Sequence, residues 1–336
     1  MSDSNPSYLS VDIRSFRNAT RDIGFDVFLK ISDDNFAHVF SRSTGLDYKR
    51  LAQYIQKGLT ELYIRVEDQG AYQDFVNHSA DSIFSDPGTA QEKKIATLLN
   101  MTEQNMAELF TQLSVPEETA QNTEKVVKNY VKLMTDSPKS LAVILKLVSH
   151  GEYLYYHSIA VSVFSLFVAK ATGQFNQRMI ELIGFGGFLH DIGCTQMPKD
   201  LMDSPSELSP AQWKDMRSHT KLGLKMIENT PNIPDEVRYI VYQHHEEPGG
   251  GGYPNGLRSN AIYYPAKIVA LVDAFSALIS KRPYRPAYTV EQAIHILQSE
   301  NGKHDKALIE ILASIFLRNG SMSGSAPAGG ESSRVA

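Results

Sequence analysis

Apolar and polar residues alternate along the first part of the chain in the way that is typical of β-strands. The alternation runs over residues 9–13 and returns over residues 25–31. The segment Asp33-Asp34-Asn35 supplies a hairpin-type turn into a following strand. A further short strand is predicted over residues 62–66.

Helical patterns lie between and after these strands. One helix is predicted from about Asp47 to Lys57, ending near Gly58, and another from about Ala71. Residues 1–84 are therefore predicted to form a small α/β module. A sensory or interaction role and a passive structural role are both open for it.

A break at residues 85–89 separates this module from a helical region. Residues 92–113 carry apolar positions on one helical face, and a further helix follows Pro116. We assign residues 85–124 to a helical linker. Its apolar stripe suits either a homodimer interface or packing against its own domain.

The last apolar helical pattern, residues 306–318, follows Asp305, which is a suitable N-cap. No metal is predicted at the His304-Asp305 pair. Residues 319–336 are small and polar and are predicted to be a disordered tail. The apolar run 159–169 is too short to span a bilayer.

The chain has 336 residues, more than the usual single core, so two domains are expected. Its composition, 42% hydrophobic and 21% charged, is that of a soluble globular protein. The start has no signal-peptide pattern, and the single cysteine excludes an intrachain disulfide. We expect a cytoplasmic protein. The net charge of −5 argues against general DNA or RNA binding.

Candidate chemistry centres on the dipeptide His190-Asp191 within GFGGFLHDIG. The candidate metal ligands are His157, His190, Asp191, His219, His244, His245 and Asp273. Imidazole and carboxylate together suit iron, manganese or zinc. Seven ligands are too many for one tetrahedral ion, but they suit two metals that share a carboxylate, as in a phosphohydrolase. A single histidine of this kind, taken alone, is more often structural.

Several motifs together resemble one known family. HDIG is followed by HHE, by GYP and GL at residues 252–257, by VDAF, and by RPYR at 282–285. This pattern is similar to the HD-GYP family, the bacterial cyclic di-GMP phosphodiesterases within the HD superfamily of metal phosphohydrolases. The resemblance covers residues 125–318. The expected fold is a small N-terminal α/β module followed by an all-α HD-GYP helical domain.

The resemblance implies a dinuclear metal site. One metal would be held by His157, His190, Asp191 and Asp273. The second would be held by His219, His244 and His245, with Asp191 as the bridge and a metal-bridging hydroxide as the nucleophile. Iron is the implied native metal and manganese a substitute. Two metals rather than three are expected, because Tyr153 stands where some members carry a glutamate for a third.

Arg282 and Arg285 are the predicted substrate-phosphate contacts, because a guanidinium matches phosphate oxygens with a planar fork of donors. Tyr284 is predicted to stack on a guanine. The alternative is an ordinary basic loop broken by Pro283.

The GYP loop, defined by Gly252, Tyr253 and Pro254, borders the active site in the family. The resemblance also links this loop to contacts with diguanylate cyclase domains. A tight turn without a partner is the alternative.

The chain departs from the family pattern near the substrate. Cys194 stands where members usually carry a lysine, and a neutral thiol cannot supply that charge. Glu247 and Pro248 replace an arginine and a bulky residue, and Gly249 replaces an aspartate. Ser276 replaces a second aspartate. These changes leave the metal ligands intact and concern substrate affinity and turnover.

Three functions are therefore considered. The first is a phosphodiesterase that opens cyclic di-GMP or a related cyclic dinucleotide in bacterial second-messenger signalling, with turnover weakened by Cys194. The second is a weak or inactive receptor that binds cyclic di-GMP or partner proteins. The third is an HD-type nucleotidase, which leaves the GYP and RPYR motifs unexplained.

Overall fold

The computed structural model describes residues 7–17, 22–33, 35–86, 88–109, 112–136, 153–198, 201, 209–281 and 286–320. The chain divides into two compact units, the first ending at Gln104 and the second beginning at Asn105. This division falls inside the segment 85–124, which the sequence assigns to a helical linker.

The first unit contains a four-stranded antiparallel sheet with the order β1-β4-β2-β3. Its strands are β1 (Tyr8–Asp12), β2 (Val27–Ser32), β3 (Asn35–Phe40) and β4 (Glu61–Arg65). Alternate residues of β4, Leu62 and Ile64, are fully buried. The alternation predicted over residues 62–66 is thus confirmed. The alternation predicted over residues 25–31 is wrong as a single buried face, because the register shifts between Val27 and Phe28, both of which are buried, and Ile31 is exposed.

Helices accompany this sheet in the first unit. They are α1 (Tyr48–Gln56), α2 (Gln69–Ser85) and the start of α3 (Gln91–Leu109). Asp47 caps α1 by accepting the backbone N–H groups of Lys49 and Arg50, as expected for an acidic N-cap. The core is aromatic. Phe25 lies within 6.3 Å, ring centre to ring centre, of Phe16, Tyr72 and Phe75.

The second unit is helical. Its helices are α4 (Glu117–Asp136), α5 (Tyr153–Thr172), α6 (Gln177–Leu189), α7 (Pro210–Met216), α8 (His219–Ile227), α9 (Asp235–Gln243), α10 (Tyr264–Ile279), α11 (Val290–Ser299) and α12 (Lys306–Gly320). A 3₁₀ helix, Ile192–Gln196, follows α6.

Helix α5 lies in the centre of this bundle, in contact with α6, α10 and α12. Phe164 of α5, Phe275 of α10 and Phe316 of α12 form one aromatic cluster, with ring centres 4.7 to 6.2 Å apart. Helix α5, which contains the long apolar run, is therefore a core helix. Among the described residues, no helix has both the length and the apolar character needed to cross a membrane.

The fold class expected from the sequence is confirmed as a small N-terminal module with an antiparallel sheet, followed by a mostly helical domain. The predicted substrate segment 282–285 lies outside the described residues. The tail predicted over residues 319–336 begins too early, because residues 319 and 320 belong to α12, and the rest of it lies outside the described residues.

Candidate metal centre and its cavity

The seven predicted ligands come from helix ends and helix middles that the bundle brings together. His157 lies in α5 and Asp273 in α10, two helices in direct contact. The other five lie where helices begin or end: His190 and Asp191 after α6, His219 at the start of α8, and His244 and His245 after α9. Residues far apart in sequence therefore converge on one buried region.

Asp191 lies between two groups of histidines. Its Oδ2 is 3.2 Å from Nε2 of His190. Its Oδ1 is 3.3 Å from Nε2 of His219 and 3.6 Å from Nε2 of His244. The two oxygens of one carboxylate thus face different imidazoles, which is the arrangement a bridging ligand requires.

The ligand atoms form two clusters that share Asp191. One contains His157 and His190, and the other contains His219, His244 and His245. Asp273 joins the first cluster, because its Oδ1 lies 2.9 Å from Nε2 of His157 and 3.9 Å from Nε2 of His190. The grouping matches the division between two metals that the family resemblance implies.

Three of the histidines have their ring orientation fixed by a backbone carbonyl three residues earlier. Nδ1 of His190 lies 2.8 Å from the carbonyl oxygen of Gly187. Nδ1 of His219 lies 2.7 Å from the carbonyl oxygen of Met216. Nδ1 of His244 lies 2.9 Å from the carbonyl oxygen of Val241. A carbonyl only accepts, so Nδ1 donates its hydrogen in each ring. In the neutral rings Nε2 is left with its lone pair directed into the site.

The donor set fits divalent cations. The Nε2 atoms of His219 and His244 face each other at 3.3 Å, beside Oδ1 of Asp191. In the neutral rings these are three acceptors without a hydrogen between them, a repulsive arrangement that a cation at their centre would relieve. Nε2 of His190 is buried and faces carboxylate oxygens of Asp191 at 3.2 Å and Asp273 at 3.9 Å, but makes no well-aligned hydrogen bond among the described residues. A cation held between this nitrogen and these oxygens would satisfy all of them.

The carboxylates and imidazoles of the site shift one another's pKa values. Burial alone would raise the pKa of Asp191 and of Asp273, but the surrounding imidazoles outweigh it and hold both values below the usual range. Burial alone would lower the pKa of His190, but Asp191 and Asp273 outweigh it and raise the value to about 9. Burial, followed by the neighbouring His244, lowers the pKa of His245, which favours the neutral ring that binds metal.

Cys194 lies beside this centre as a buried, free thiol. Its backbone N–H donates to the carbonyl oxygen of Asp191 at 2.8 Å. Burial and the negative charge of Asp191 raise the pKa of the thiol. The side chain at this position is therefore neutral, as the sequence predicts.

The GYP loop folds back over the HHE segment. The backbone N–H of Tyr253 donates to the carbonyl oxygen of His245 at 3.0 Å. A Cβ atom on Gly252 would lie 2.3 Å from the backbone nitrogen of Glu247 and 2.4 Å from the oxygen of His245, so only glycine fits here. The Tyr253–Pro254 peptide bond is cis.

Glu246 holds the other end of this loop, a role that the sequence analysis did not assign. Its buried carboxylate accepts the backbone N–H groups of Asn255 and Leu257, each at 2.7 Å. The sequence signal for this residue was its position directly after the candidate ligands His244 and His245. Glu246 acts here by fixing the loop rather than by binding metal.

Tyr253 connects the loop to the metal centre. Its ring centre lies 4.7 Å from that of His245 and 6.1 Å from that of His219. The guanidinium carbon of Arg217, a residue not singled out in the sequence, lies 5.4 Å from the centre of the same ring. Arg217 thus places a positive charge beside the GYP loop.

A cavity of about 300 Å³ opens next to the centre. Three predicted ligands, His244, His245 and Asp273, contribute to its wall together with Tyr253. The segment between α11 and α12 also contributes to the lining with Glu300, Lys303 and His304, none of which the sequence placed at the site. The His304-Asp305 pair is predicted to bind no metal. Asp305 caps α12, accepting the N–H of Ala307 at 3.0 Å, while His304 lines the cavity.

Comparison with known proteins relates the second unit to one domain family. Residues 171–308 match the model of the HD domain family. The chain is 29% identical over 168 residues to a cyclic di-GMP phosphodiesterase of Pseudomonas aeruginosa, covering 50% of this chain and 40% of that protein. It is 33% identical over 137 residues to a cyclic di-GMP phosphodiesterase response regulator of Xanthomonas campestris pv. campestris, covering 40% and 36%. A 3'3'-cGAMP-specific phosphodiesterase of Vibrio cholerae is 32% identical over 126 residues, covering 37% and 24%.

The chain spans less than half of the length of these relatives. Among solved structures, Bd1817, an HDG"Y"P protein from Bdellovibrio bacteriovorus, matches with a TM-score of 0.67 and 21% identity over 93% of this chain and 100% of that chain. At this identity the likeness concerns the fold alone. Residues 171–308 thus match the HD domain family, and the HDIG, HHE and GYP residues, which lie together as described, resemble the HD-GYP pattern.

Proposed function

We propose that this chain is a phosphodiesterase that hydrolyses one phosphodiester bond of a cyclic dinucleotide, with cyclic di-GMP as the first candidate, and releases the linear dinucleotide. The observation that carries the proposal is the placement of Asp191 between two histidine clusters. A carboxylate with each oxygen facing a separate set of imidazoles suits two metal ions held side by side.

The residues proposed for the first metal are His157, His190, Asp191 and Asp273. Those proposed for the second are His219, His244 and His245, again with Asp191. Imidazole and carboxylate donors suit iron, which is the proposed native metal, and manganese as its substitute. Such ions, when bound, would neutralise phosphate charge and lower the pKa of a bound water, which supplies the nucleophile.

The chain's own residues orient this chemistry. Backbone carbonyls hold the rings of His190, His219 and His244 in the tautomer that presents Nε2 to a metal. Glu246 and Gly252 keep the GYP loop closed against the HHE segment. The curated relatives named above act on cyclic di-GMP or 3'3'-cGAMP, and this supports a cyclic dinucleotide as the substrate class.

The proposal is tested with protein purified without oxygen and assayed with iron or manganese. We expect about two metal equivalents per chain. We also expect metal-dependent conversion of cyclic di-GMP to the linear dinucleotide, which is monitored by chromatography. Asp191→Ala should lose both the metals and the activity, whereas the exposed Glu310→Gln should keep both. Full activity in Asp191→Ala would contradict the mechanism.

A receptor function is the second candidate, and one observation favours it. The side chain at position 194 is a buried neutral thiol beside Asp191, so this position supplies no positive charge for phosphate. A wild-type protein that binds two metals and cyclic di-GMP with little hydrolysis would be either a receptor or a weakened enzyme. Cys194→Lys separates these two cases. A large gain in turnover indicates a weakened enzyme, whereas no gain despite tight binding indicates a receptor.

Contacts of the GYP loop with diguanylate cyclase domains, homodimerisation and an input role of the N-terminal module stay predictions. The same holds for phosphate binding by Arg282 and Arg285 and guanine stacking by Tyr284, because residues 282–285 lie outside the described part of the chain.

A further inference from the structure

We infer that Lys303, in the segment between α11 and α12, supplies the positive charge that contacts substrate phosphate in the cavity beside the metal centre. The inference rests on the proposed function and extends it to a residue that lies outside the recognised motifs. Its evidence is the composition of the cavity wall, the fixed backbone around Lys303, and the ion pair that this lysine makes.

The first step is the charge of the cavity wall. Among the described residues that line it, Lys303 is the one lysine or arginine, and it faces the same space as the proposed ligands His245 and Asp273. The volume, about 300 Å³, is at the lower end of the range for small-molecule pockets, so one ligand can contact several of the lining groups. Position 194 carries no charge. Lys303 is therefore the lining cation available to a phosphate in this cavity, whereas the Arg217 guanidinium lies over the Tyr253 ring and is not among the lining residues.

The second step is the position of the lysine backbone. The N–H of Gly249 donates to the carbonyl oxygen of Gly302 at 2.7 Å, which ties this segment to the loop that follows HHE. Asp305 then caps α12 on the other side of Lys303. Held from both sides, Lys303 projects from a positioned segment rather than from a free loop.

The third step concerns Gly249. A Cβ atom at this position would lie 3.1 Å from the carbonyl oxygen of Gly302, closer than an ordinary contact. A larger side chain would push the two segments apart. The glycine that replaces the family's usual aspartate thus permits the approach that brings Lys303 to the cavity.

The fourth step is the partner of the lysine. Nζ of Lys303 lies 2.7 Å from Oε1 of Glu300, and the lysine side chain is 48% exposed. An ion pair this exposed contributes little to stability. Its effect on a ligand is larger, because Glu300 holds the ammonium at the cavity and, in doing so, competes with a phosphate for it.

Because Glu300 and phosphate compete for Lys303, variants of the two residues should change phosphate binding in opposite directions. If Lys303 contacts phosphate, Lys303→Ala should weaken binding about tenfold, and Lys303→Arg should keep most of it. Glu300→Gln should strengthen binding severalfold, since it removes the competing carboxylate. If the pair only stabilises the segment, both Lys303→Ala and Glu300→Gln should weaken binding together and lower the melting temperature. The matched control is Lys306→Ala, an exposed lysine three residues further on, which should behave as wild type.

The measurement is calorimetric titration of the manganese-loaded full-length chain, first with inorganic phosphate and then with cyclic di-GMP, with the melting temperature of each variant recorded. Opposite shifts for Lys303→Ala and Glu300→Gln with phosphate support the inference. Equal affinities for Lys303→Ala and Lys306→Ala, or parallel losses in Lys303→Ala and Glu300→Gln, overturn it. Because inorganic phosphate is not hydrolysed, the outcome for Lys303 is decided even if cyclic di-GMP is neither bound nor cleaved, a result that would count against the proposed function alone.

Discussion

The Nε2 atom of His157 lies 2.9 Å from the Oδ1 atom of Asp273, and both side chains are largely buried. This pair joins the N-terminal part of α5 to the middle of α10. Either residue alone would be an isolated polar group in an apolar bundle, which is costly to bury. Together with His190 and Asp191 they form the half of the centre that the folded core, rather than a loop, holds in place.

Asp273→Asn is expected to weaken the first proposed metal site more than the second. The amide keeps the size of the carboxylate but loses its negative charge, so metal affinity at that site should fall by more than about tenfold. Metal content after dialysis, measured by plasma mass spectrometry, should drop from two equivalents toward one. Glu310→Gln removes an exposed carboxylate of α12 and serves as the control. Two retained equivalents in Asp273→Asn would remove Asp273 from the ligand set.

A series of ligand variants should give graded metal counts. His157→Ala removes a ligand of one cluster, and His245→Ala removes a ligand of the other, so each should retain about one equivalent. Asp191→Ala should retain none, because its carboxylate belongs to both clusters. The counts are measured on anaerobically purified proteins under one protocol. Equal loss in all three variants would instead favour a single metal.

The sequence predicts well those features whose signals are local. Strands β1 and β4 follow from alternation. The HDIG and HHE motifs point to His190, Asp191, His244 and His245, whereas His157, His219 and Asp273 were added through the family resemblance and stay predicted ligands. Lys303 was missed because it reaches the cavity through the backbone bond between Gly249 and Gly302, a contact between segments distant in sequence. A contact between distant segments leaves no pattern in the local sequence from which it could be predicted.

Two further residues show the same limit. Arg217 lies over Tyr253 because α8 packs against the 3₁₀ helix after α6 and against α9, and this packing is set by the tertiary fold. Glu246 belongs to a motif visible in the sequence. Its role depends on the path of the GYP loop, which brings the N–H groups of Asn255 and Leu257 to its carboxylate.

Glu246→Gln should loosen the GYP loop. The carboxylate accepts two backbone N–H groups, whereas an amide presents one oxygen and one NH₂ group, so one hydrogen bond is lost and one buried donor faces another. We expect a loss of about 1 to 3 kcal/mol in unfolding free energy and a lower kcat/KM. Denaturant titration and the phosphodiesterase assay provide the measurements.

Glu228→Gln, an exposed carboxylate at the end of α8, is the matched control for this experiment. It should leave stability and activity unchanged. If Glu246→Gln also behaves as wild type in both measurements, the carboxylate does not hold the loop. If it loses metal while keeping its stability, Glu246 acts at the metal centre itself.

Phe25→Ala should destabilise the first unit while leaving the metal centre intact. Phe25 is fully buried among Phe16, Tyr72 and Phe75, so its removal leaves a cavity and costs about 3 to 5 kcal/mol. The proposed metal ligands all belong to the second unit, which has its own aromatic core. Metal content and turnover should therefore stay near wild type even when the first unit unfolds at lower denaturant concentration.

Ile31→Ala provides the contrast, because Ile31 is 59% exposed and its truncation should change stability by less than about 0.5 kcal/mol. Both variants are compared by denaturant titration followed by circular dichroism, with metal analysis on the same samples. Loss of metal in Phe25→Ala but not in Ile31→Ala would mean that the metal centre depends on the folded N-terminal module. Unchanged metal with altered turnover would instead support an input role for the module.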